Sequence, residues 1–223
     1  MKAVLFDFDY TLADSSPGII ACVTHALTVM GIPLASDDAI CRTIGLSLPD
    51  TFSRLSGIDD EQARIRFKEL YLERARYVMV GLTELFPGVR ETLHALAARG
   101  LRLGIVSTKI SPTLRKILEK EDLLSLFGVI IGGDDVTRTK PDPEGIHRAL
   151  EVLEVQAHEC LYVGDAVMDV EAARRAGTSF AAVLTGATLR HELEALGAVF
   201  IFDRVNDLDL GAISPSTPVA GPI

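Results

Sequence analysis

The first dozen residues constrain the fold more strongly than any other part of this 223-residue chain. The run from Ala3 to Phe8 is mostly large and apolar, which is typical of a buried strand at the centre of a parallel sheet. This strand contains or meets Asp7 and Asp9, whose side chains share one face because strand residues two apart do so. We therefore expect both carboxylates at the carboxyl end of the strand, where open α/β sheets place their sites.

The acid pair alone does not decide the function. Two carboxylates held close together repel each other unless a cation or a shared proton relieves the repulsion. Taken by itself, the pair is equally compatible with a strand end that leads into a solvated turn. Polar residues at the ends of later strands must separate these two interpretations.

Helical and strand patterns alternate from Leu82 onward, which predicts right-handed βαβ crossovers and a parallel sheet covered on both faces. Between the first strand and Leu82 the apolar residues recur at helical spacing only. We therefore predict an α/β protein with a Rossmann-like core, residues 1–14 and 82–210, and a smaller all-α domain, residues 15–81, inserted after the first strand. The later predicted strands are Leu101–Val106, Val129–Ile131, Cys160–Val163, Phe180–Leu184 and Val199–Phe202.

Composition limits the partners and the compartment. With 22 basic and 31 acidic residues the formal net charge is -9, which argues against nucleic-acid binding. No apolar stretch is long enough to span a bilayer, and the N-terminus lacks the order of a signal peptide. The cysteines Cys22, Cys41 and Cys160 lack metal-site spacing, so we expect reduced thiols in a cytoplasmic protein. The Gly-, Pro- and Ser-rich tail, 211–223, is expected to be flexible.

Polar residues follow the ends of four predicted strands. In strand order they are Asp7 and Asp9, then Ser107, Thr108 and Lys109, then Lys140, then Asp165 and Asp169. Because the carboxyl ends of parallel strands meet at one sheet edge, we expect these scattered residues to converge. Two acid pairs, a hydroxyl and a lysine in this order are hard to obtain by chance.

These motifs resemble those of the haloacid dehalogenase-like (HAD) hydrolases, most of which are magnesium-dependent phosphatases. DFDYTL matches the DxDxT motif, the hydroxyl after LGIV the second motif, the lysine of TKPDP the third, and VGDAVMD the GDxxxD motif. The match runs over residues 2–207, and the helical insert resembles the family's α-helical cap. The resemblance implies a HAD core with a cap and hydrolysis of a small phosphorylated metabolite, of phosphoglycolate-phosphatase-like type.

The resemblance also implies roles for the four aspartates. Asp7 is expected to be the nucleophile that forms an aspartyl-phosphate, and Asp9 the general acid and base. Mg²⁺ is expected to bind Asp7, the backbone carbonyl of Asp9, and Asp165, with Asp169 acting through water or by orienting the site. Physical chemistry agrees, since oxygen ligands suit Mg²⁺ and a cation must separate a carboxylate from a phosphate.

Hydroxyls and lysines complete the expected phosphate site. Ser107 and Lys140 are expected to stabilise the phosphoryl oxygens, and Thr11, Thr108 and Lys109 to contact substrate. The alternative for Ser107 or Thr108 is a simple helix cap, and the alternative for Lys109 is a solvated loop residue.

Two positions in or near the insert add detail. Tyr10 stands where the family usually has glycine, and we expect it to line the pocket or to pack under the cap. Arg42 lies in CRTIGLSLPD, which resembles the cap loop facing the active site of phosphoglycolate phosphatases, so it is a candidate for binding a second anionic group. Its alternative is an arginine on a solvated helix face.

Other functions remain open at this point. Inorganic pyrophosphatase and sugar-phosphate mutase use the same machinery, and a phospho-acceptor signalling domain also combines acids, a hydroxyl and a lysine on a parallel sheet. Such a signalling domain needs no cap. We expect a small-molecule phosphate ester as partner, no nucleic acid or membrane, and a monomer or a homodimer.

Overall fold

The computed structural model describes residues 1–213. In chain order its strands are β1 (Ala3–Phe6), β2 (Ala13–Asp14), β3 (Glu84–Leu85), β4 (Arg102–Val106), β5 (Phe127–Ile131), β6 (Cys160–Gly164), β7 (Ser179–Val183) and β8 (Phe200–Phe202). Six of them form a parallel sheet in the order β5-β4-β1-β6-β7-β8, and β2 pairs antiparallel with β3. The predicted α/β fold with a parallel sheet is therefore confirmed.

Nine α-helices connect these strands within the described residues. They are α1 (Ser16–Val29), α2 (Asp37–Cys41), α3 (Leu48–Ser56), α4 (Glu61–Val78), α5 (Val89–Ala98), α6 (Ser111–Lys120), α7 (Glu144–Leu153), α8 (Val167–Ala176) and α9 (Arg190–Ala195). Short 3₁₀ turns occur at Leu124–Leu126, Ala157–Glu159 and Val205–Asp207. Over residues 1–213, no helix has both the length and the apolar character that a membrane span needs.

Strand β1 occupies the interior of the sheet because its four residues are apolar and tolerate burial on both faces. Phe6 lies beside Ile105 of β4 and Val163 of β6, so these three strands end at nearly the same level. Apolar side chains on opposite faces of the sheet belong to two separate core clusters. The carboxyl ends of the central strands therefore form one edge, supported by a core on each side.

Helices α1 to α4 all lie between β2 and β3, in the segment predicted to be helical. Phe52 of α3 stacks on Phe67 of α4 with a ring-centroid distance of 5.3 Å. Both rings belong to the same apolar cluster as Phe6 and Phe8 of the core. The insert therefore packs on the core through continuous apolar contacts, while its division into a separate domain, residues 15–81, stays a prediction.

Several short elements were not predicted. Strands β2 and β3 are two residues each, too short for a period-two pattern, and they join the chain where it leaves and re-enters the core. Helices α2 and α9, of five and six residues, are also too short to show a helical stripe. The predicted flexible tail lies outside the described residues from position 214 onward.

Candidate active site

Three buried carboxylates converge at the carboxyl ends of the central strands. Asp7 directly follows β1, Asp165 directly follows β6, and Asp169 lies in the first turn of α8. One carboxylate oxygen from each residue lies within 4.8 Å of the other two. With Lys140, these residues are called here the carboxylate edge.

Lys140 reaches this cluster from the loop after β5 and is buried with it. Its Nζ lies 2.9 Å from Asp7 Oδ1 and 2.6 Å from Asp169 Oδ1. Its ammonium also lies 5.8 Å from the centroid of the Tyr162 ring, within cation–π range. Lys140 thus joins the nucleophile candidate to the second acid pair.

Burial makes this arrangement electrostatically costly. Burial raises the pKa of Asp7 to about 6, with Lys140 opposing and Asp169 adding to the effect. Burial, followed by the charges of Asp169 and Asp7, raises the pKa of Asp165 well above its ordinary value. Burial alone would lower the pKa of Lys140, but Asp169 and Asp7 hold it above its ordinary value.

The charge of the carboxylate edge indicates whether a metal ion fits there. Three carboxylates and one ammonium leave an excess of negative charge, and a divalent cation is the direct way to relieve it. The donor set contains only oxygen, which suits Mg²⁺ better than softer metals. The residues present therefore fit a magnesium ion.

The oxygens of Asp169 are already engaged by the protein. Its Oδ2 accepts a hydrogen bond from the Ala166 amide at 3.0 Å, and its Oδ1 accepts from Lys140 and from the Tyr162 hydroxyl at 3.0 Å. Thr11 was expected to contact substrate, but its Oγ1 donates to Asp165 Oδ1 at 2.9 Å. Both Asp169 and Thr11 therefore form hydrogen bonds with residues of the carboxylate edge.

The loop after β1 has an unusual backbone at Tyr10. Its φ of 59° lies in the left-handed region that favours glycine, consistent with the residue type common at this position in the family. Burial raises the pKa of the Tyr10 hydroxyl, with the neighbouring Cys41 of α2 adding to this effect and Ser16 of α1 opposing it. Tyr10 therefore packs under the insert, one of the two places expected for it.

The loop after β7 also contributes residues to this edge, and the sequence analysis missed them. Thr185, just beyond β7, donates a hydrogen bond from Oγ1 to the Tyr10 carbonyl. At the next position, Gly186, a Cβ atom would lie 1.9 Å from Asp165 Oδ2, so only glycine allows this close approach. The available signal was a Thr-Gly pair directly after a predicted strand. Tyr162 was also missed, although it is a polar residue inside the apolar strand CLYVGD.

Asp9, two residues after Asp7, lies beside residues of the insert. Its Oδ2 lies 3.1 Å from Lys109 Nζ, and this ammonium lies 3.5 Å from Met79 Sδ. Its Oδ1 is buried with no hydrogen-bond partner among residues 1–213. Asp9, Thr108 and Lys109 line a cavity of about 60 Å³ between core and insert, called here the insert-side cavity.

Ser107 lies close to Lys140. It directly follows β4, its amide donates to the Ile131 carbonyl at 3.0 Å, and its Oγ accepts from the Lys109 amide at 3.4 Å. Ser107 and Lys140 line the same small cavity of about 10 Å³. Ser107 therefore lies where a hydroxyl could serve the same phosphoryl group as Lys140.

Arg42 is not brought to the site. It follows α2 with its side chain 73% exposed, and its Nε lies 3.1 Å from Asp38 Oδ2. It is not among the residues that line the insert-side cavity. Its position matches the alternative interpretation, an arginine on a solvated helix face.

The fold and the carboxylate edge together define a class of protein: an α/β protein with buried acidic residues at the carboxyl edge of a parallel sheet and a helical insert after the first strand. The model of the haloacid dehalogenase-like hydrolase family matches residues 4–183. This chain therefore belongs to the haloacid dehalogenase-like hydrolases, and it is an enzyme.

Known relatives extend over nearly the whole chain. The phosphoglycolate phosphatases of Escherichia coli K12 and Salmonella typhimurium LT2 are each 32% identical to it, covering 93% of this chain and 91% of theirs. Among solved structures, a protein from Bacteroides fragilis described as haloacid dehalogenase-like has a TM-score of 0.89 at 40% identity, covering 92% of this chain and 98% of its own. A hydrolase from Pseudomonas syringae has a TM-score of 0.81 at 29% identity, covering 93% and 95%.

Proposed function

We propose that this protein hydrolyses a small phosphate monoester in two magnesium-dependent steps, with Asp7 as the nucleophile. The observation that carries the proposal is the buried carboxylate edge, where Asp7 lies beside Lys140 and within 4.8 Å of carboxylate oxygens of Asp165 and Asp169. Its membership of the family and its likeness to phosphoglycolate phosphatases support its class, a phosphoric monoester hydrolase.

Asp7 and Asp165 are the residues that would hold Mg²⁺, with Asp169 orienting the site. The ion would supply positive charge between the nucleophilic carboxylate and the phosphate, which otherwise repel each other. Lys140 and Ser107 donate hydrogen bonds to phosphoryl oxygens, where negative charge gathers during transfer. Lys140 also holds the Asp7 carboxylate in place before substrate arrives.

In the first step a carboxylate oxygen of Asp7 bonds to phosphorus while the bond from phosphorus to the alcohol oxygen breaks. Asp9 donates a proton to that departing oxygen. In the second step Asp9 takes a proton from water, whose oxygen bonds to phosphorus as the bond to Asp7 breaks. The insert limits access of bulk water to the site during the transfer.

The test is phosphate release from para-nitrophenyl phosphate. We expect steady turnover that requires Mg²⁺, is lost with a chelator, and falls at least about 10⁴-fold in Asp7→Asn, because the nucleophile is removed. Asp37→Asn makes the same change at an exposed position of α2 and should retain the full rate. Wild-type turnover by Asp7→Asn would contradict the mechanism.

Product analysis separates the related reactions. A monoesterase releases one phosphate and the free alcohol, a pyrophosphatase converts pyrophosphate to two phosphates, and a mutase returns an isomeric sugar phosphate. A signalling domain would accept one phosphoryl group without sustained turnover. We expect the monoesterase products, measured as phosphate and alcohol in equal amounts.

A further inference from the structure

The insert-side cavity begins at the proposed general acid. Asp9, Thr108 and Lys109 line it from the core, whereas Lys140 and Ser107, the expected phosphate ligands, do not. Because Asp9 protonates the departing alcohol oxygen in the proposed mechanism, the space beside Asp9 receives the alcohol portion of the ester. The residues that line this cavity therefore indicate which size, charge and polarity the leaving alcohol can have.

Most of that lining is aliphatic. Ile19 of α1, Leu46 from the loop before α3, Leu72 of α4 and Met79 after α4 all contribute side chains. These groups offer dispersion contacts and no hydrogen bonds, so they favour apolar atoms of a ligand. Hydroxyl groups of residues such as Thr43 add polar but uncharged contacts.

Only two residues with formal charge line the cavity within the described chain, Asp9 and Lys109. Their side chains are only 9% and 6% exposed, and the two charges already pair at 3.1 Å. Asp9 becomes a carboxylate as its proton passes to the departing oxygen, and Lys109 then stabilises its charge. A carboxylate on the leaving group would compete with Asp9 for Lys109 or remain unpaired beside it. Both outcomes are unfavourable in a buried site, and Arg42 lies outside the cavity.

The size of the cavity limits the alcohol. One buried water needs roughly 10–15 Å³ measured in this way. The insert-side cavity of about 60 Å³ therefore has room for about four to six non-hydrogen atoms.

Resting on the proposed function, we propose that the substrate is a phosphate monoester of a short, uncharged and largely apolar alcohol. Esters with a second anionic group, including 2-phosphoglycolate, are then poor substrates for this chain. The preferred substrate of this chain would then differ from the phosphoglycolate named for its phosphoglycolate phosphatase relatives. The carboxylate edge is nevertheless suited to the same phosphoryl chemistry.

The first experiment compares two nearly isosteric esters, isobutyl phosphate and 2-phosphoglycolate, with the wild-type enzyme and Mg²⁺. We expect kcat/KM at least about 100-fold higher for isobutyl phosphate, because the carboxylate must be buried without a free cation. Equal or higher kcat/KM for 2-phosphoglycolate would overturn the inference.

Acetyl phosphate separates this inference from the proposed function, because its labile leaving group needs little help from the cavity. If Asp7-dependent hydrolysis of acetyl phosphate occurs while 2-phosphoglycolate is preferred over isobutyl phosphate, only the inference fails. If no phosphate compound is hydrolysed in an Asp7-dependent manner, the proposed function fails and the inference falls with it.

A variant pair tests the cavity directly. Leu46→Lys adds a cation at a half-buried lining position, and Leu34→Lys adds the same charge at a residue that is 60% exposed and outside the lining. We expect Leu46→Lys to shift the preference toward 2-phosphoglycolate by about tenfold or more, because the added ammonium pairs with its carboxylate. Leu34→Lys should leave the ratio unchanged. A folded Leu46→Lys protein, checked by its melting temperature, with the wild-type ratio would contradict the assignment.

Discussion

The carboxylate edge and the insert-side cavity both adjoin the loop after β1 and are lined by buried charged residues, but they differ in net charge. The carboxylate edge gathers Asp7, Asp165, Asp169 and Lys140, with more negative than positive charge. The insert-side cavity is mostly aliphatic, and its two formal charges cancel in the Asp9–Lys109 pair. This difference indicates a division of labour. Under the function proposed above, the core residues supply the reaction, and the insert selects the alcohol that leaves.

The two lysines offer the strongest test of this contrast. Lys140→Met removes the partner of Asp7 and Asp169 together, so we expect the chelated protein to lose about 3–5 kcal/mol of unfolding free energy. Lys109→Met removes a single contact with Asp9 and should cost less, about 1–3 kcal/mol. Denaturant unfolding of both variants at one pH measures the difference. Equal losses would mean that the two regions are electrostatically alike.

The pH dependence of stability provides a second test at the carboxylate edge. The pKa of Asp7 rises from an ordinary value of 3.8 to about 6 in the folded protein, so the folded state keeps a proton that the unfolded state releases. The stability from this group is therefore complete below pH 4 and is lost as pH rises through about 6. The loss is on the order of 3 kcal/mol for the metal-free protein.

Unfolding of the chelated wild-type protein and of Asp7→Asn over this pH range isolates the contribution of Asp7. In the wild-type protein the loss of stability with rising pH should shrink when Mg²⁺ saturates the site, because the cation offsets the charge that burial penalises. A difference that is independent of pH would contradict the buried-carboxylate account of this edge.

The smallest expected effect concerns two tyrosines, one in each region. The Tyr162 hydroxyl lies 3.0 Å from Asp169 Oδ1 and 3.0 Å from the Val106 carbonyl, whereas Tyr71 lines the insert-side cavity. Tyr162→Phe should cost about 1 kcal/mol of stability and weaken magnesium binding by about tenfold, because Asp169 loses an orienting contact. Tyr71→Phe should leave the magnesium affinity unchanged. Titration of the melting temperature with Mg²⁺ measures both, and equal weakening would remove the distinction.

The positions of the site residues along the chain were predictable where they follow long, regular strands. Asp7, Ser107 and Asp165 each come directly after an apolar run, and parallel strands end at one edge. Arg42 was a candidate for binding a second anionic group, but its side chain is exposed, because a matching loop motif does not decide which way a side chain turns. Its exposure and its pair with Asp38 depend on how α2 sits on the insert.

The sequence by itself determined the parallel sheet, the edge at which the acids gather and the family, because strand periodicity and strand-end position are local properties of the chain. Only the tertiary structure decided that Thr11 donates a hydrogen bond to Asp165, that Gly186 lies against the same carboxylate, and that the insert-side cavity is nearly neutral. Those features arise from contacts between residues far apart in the chain. They depend on how the insert packs against the core, which no local pattern encodes.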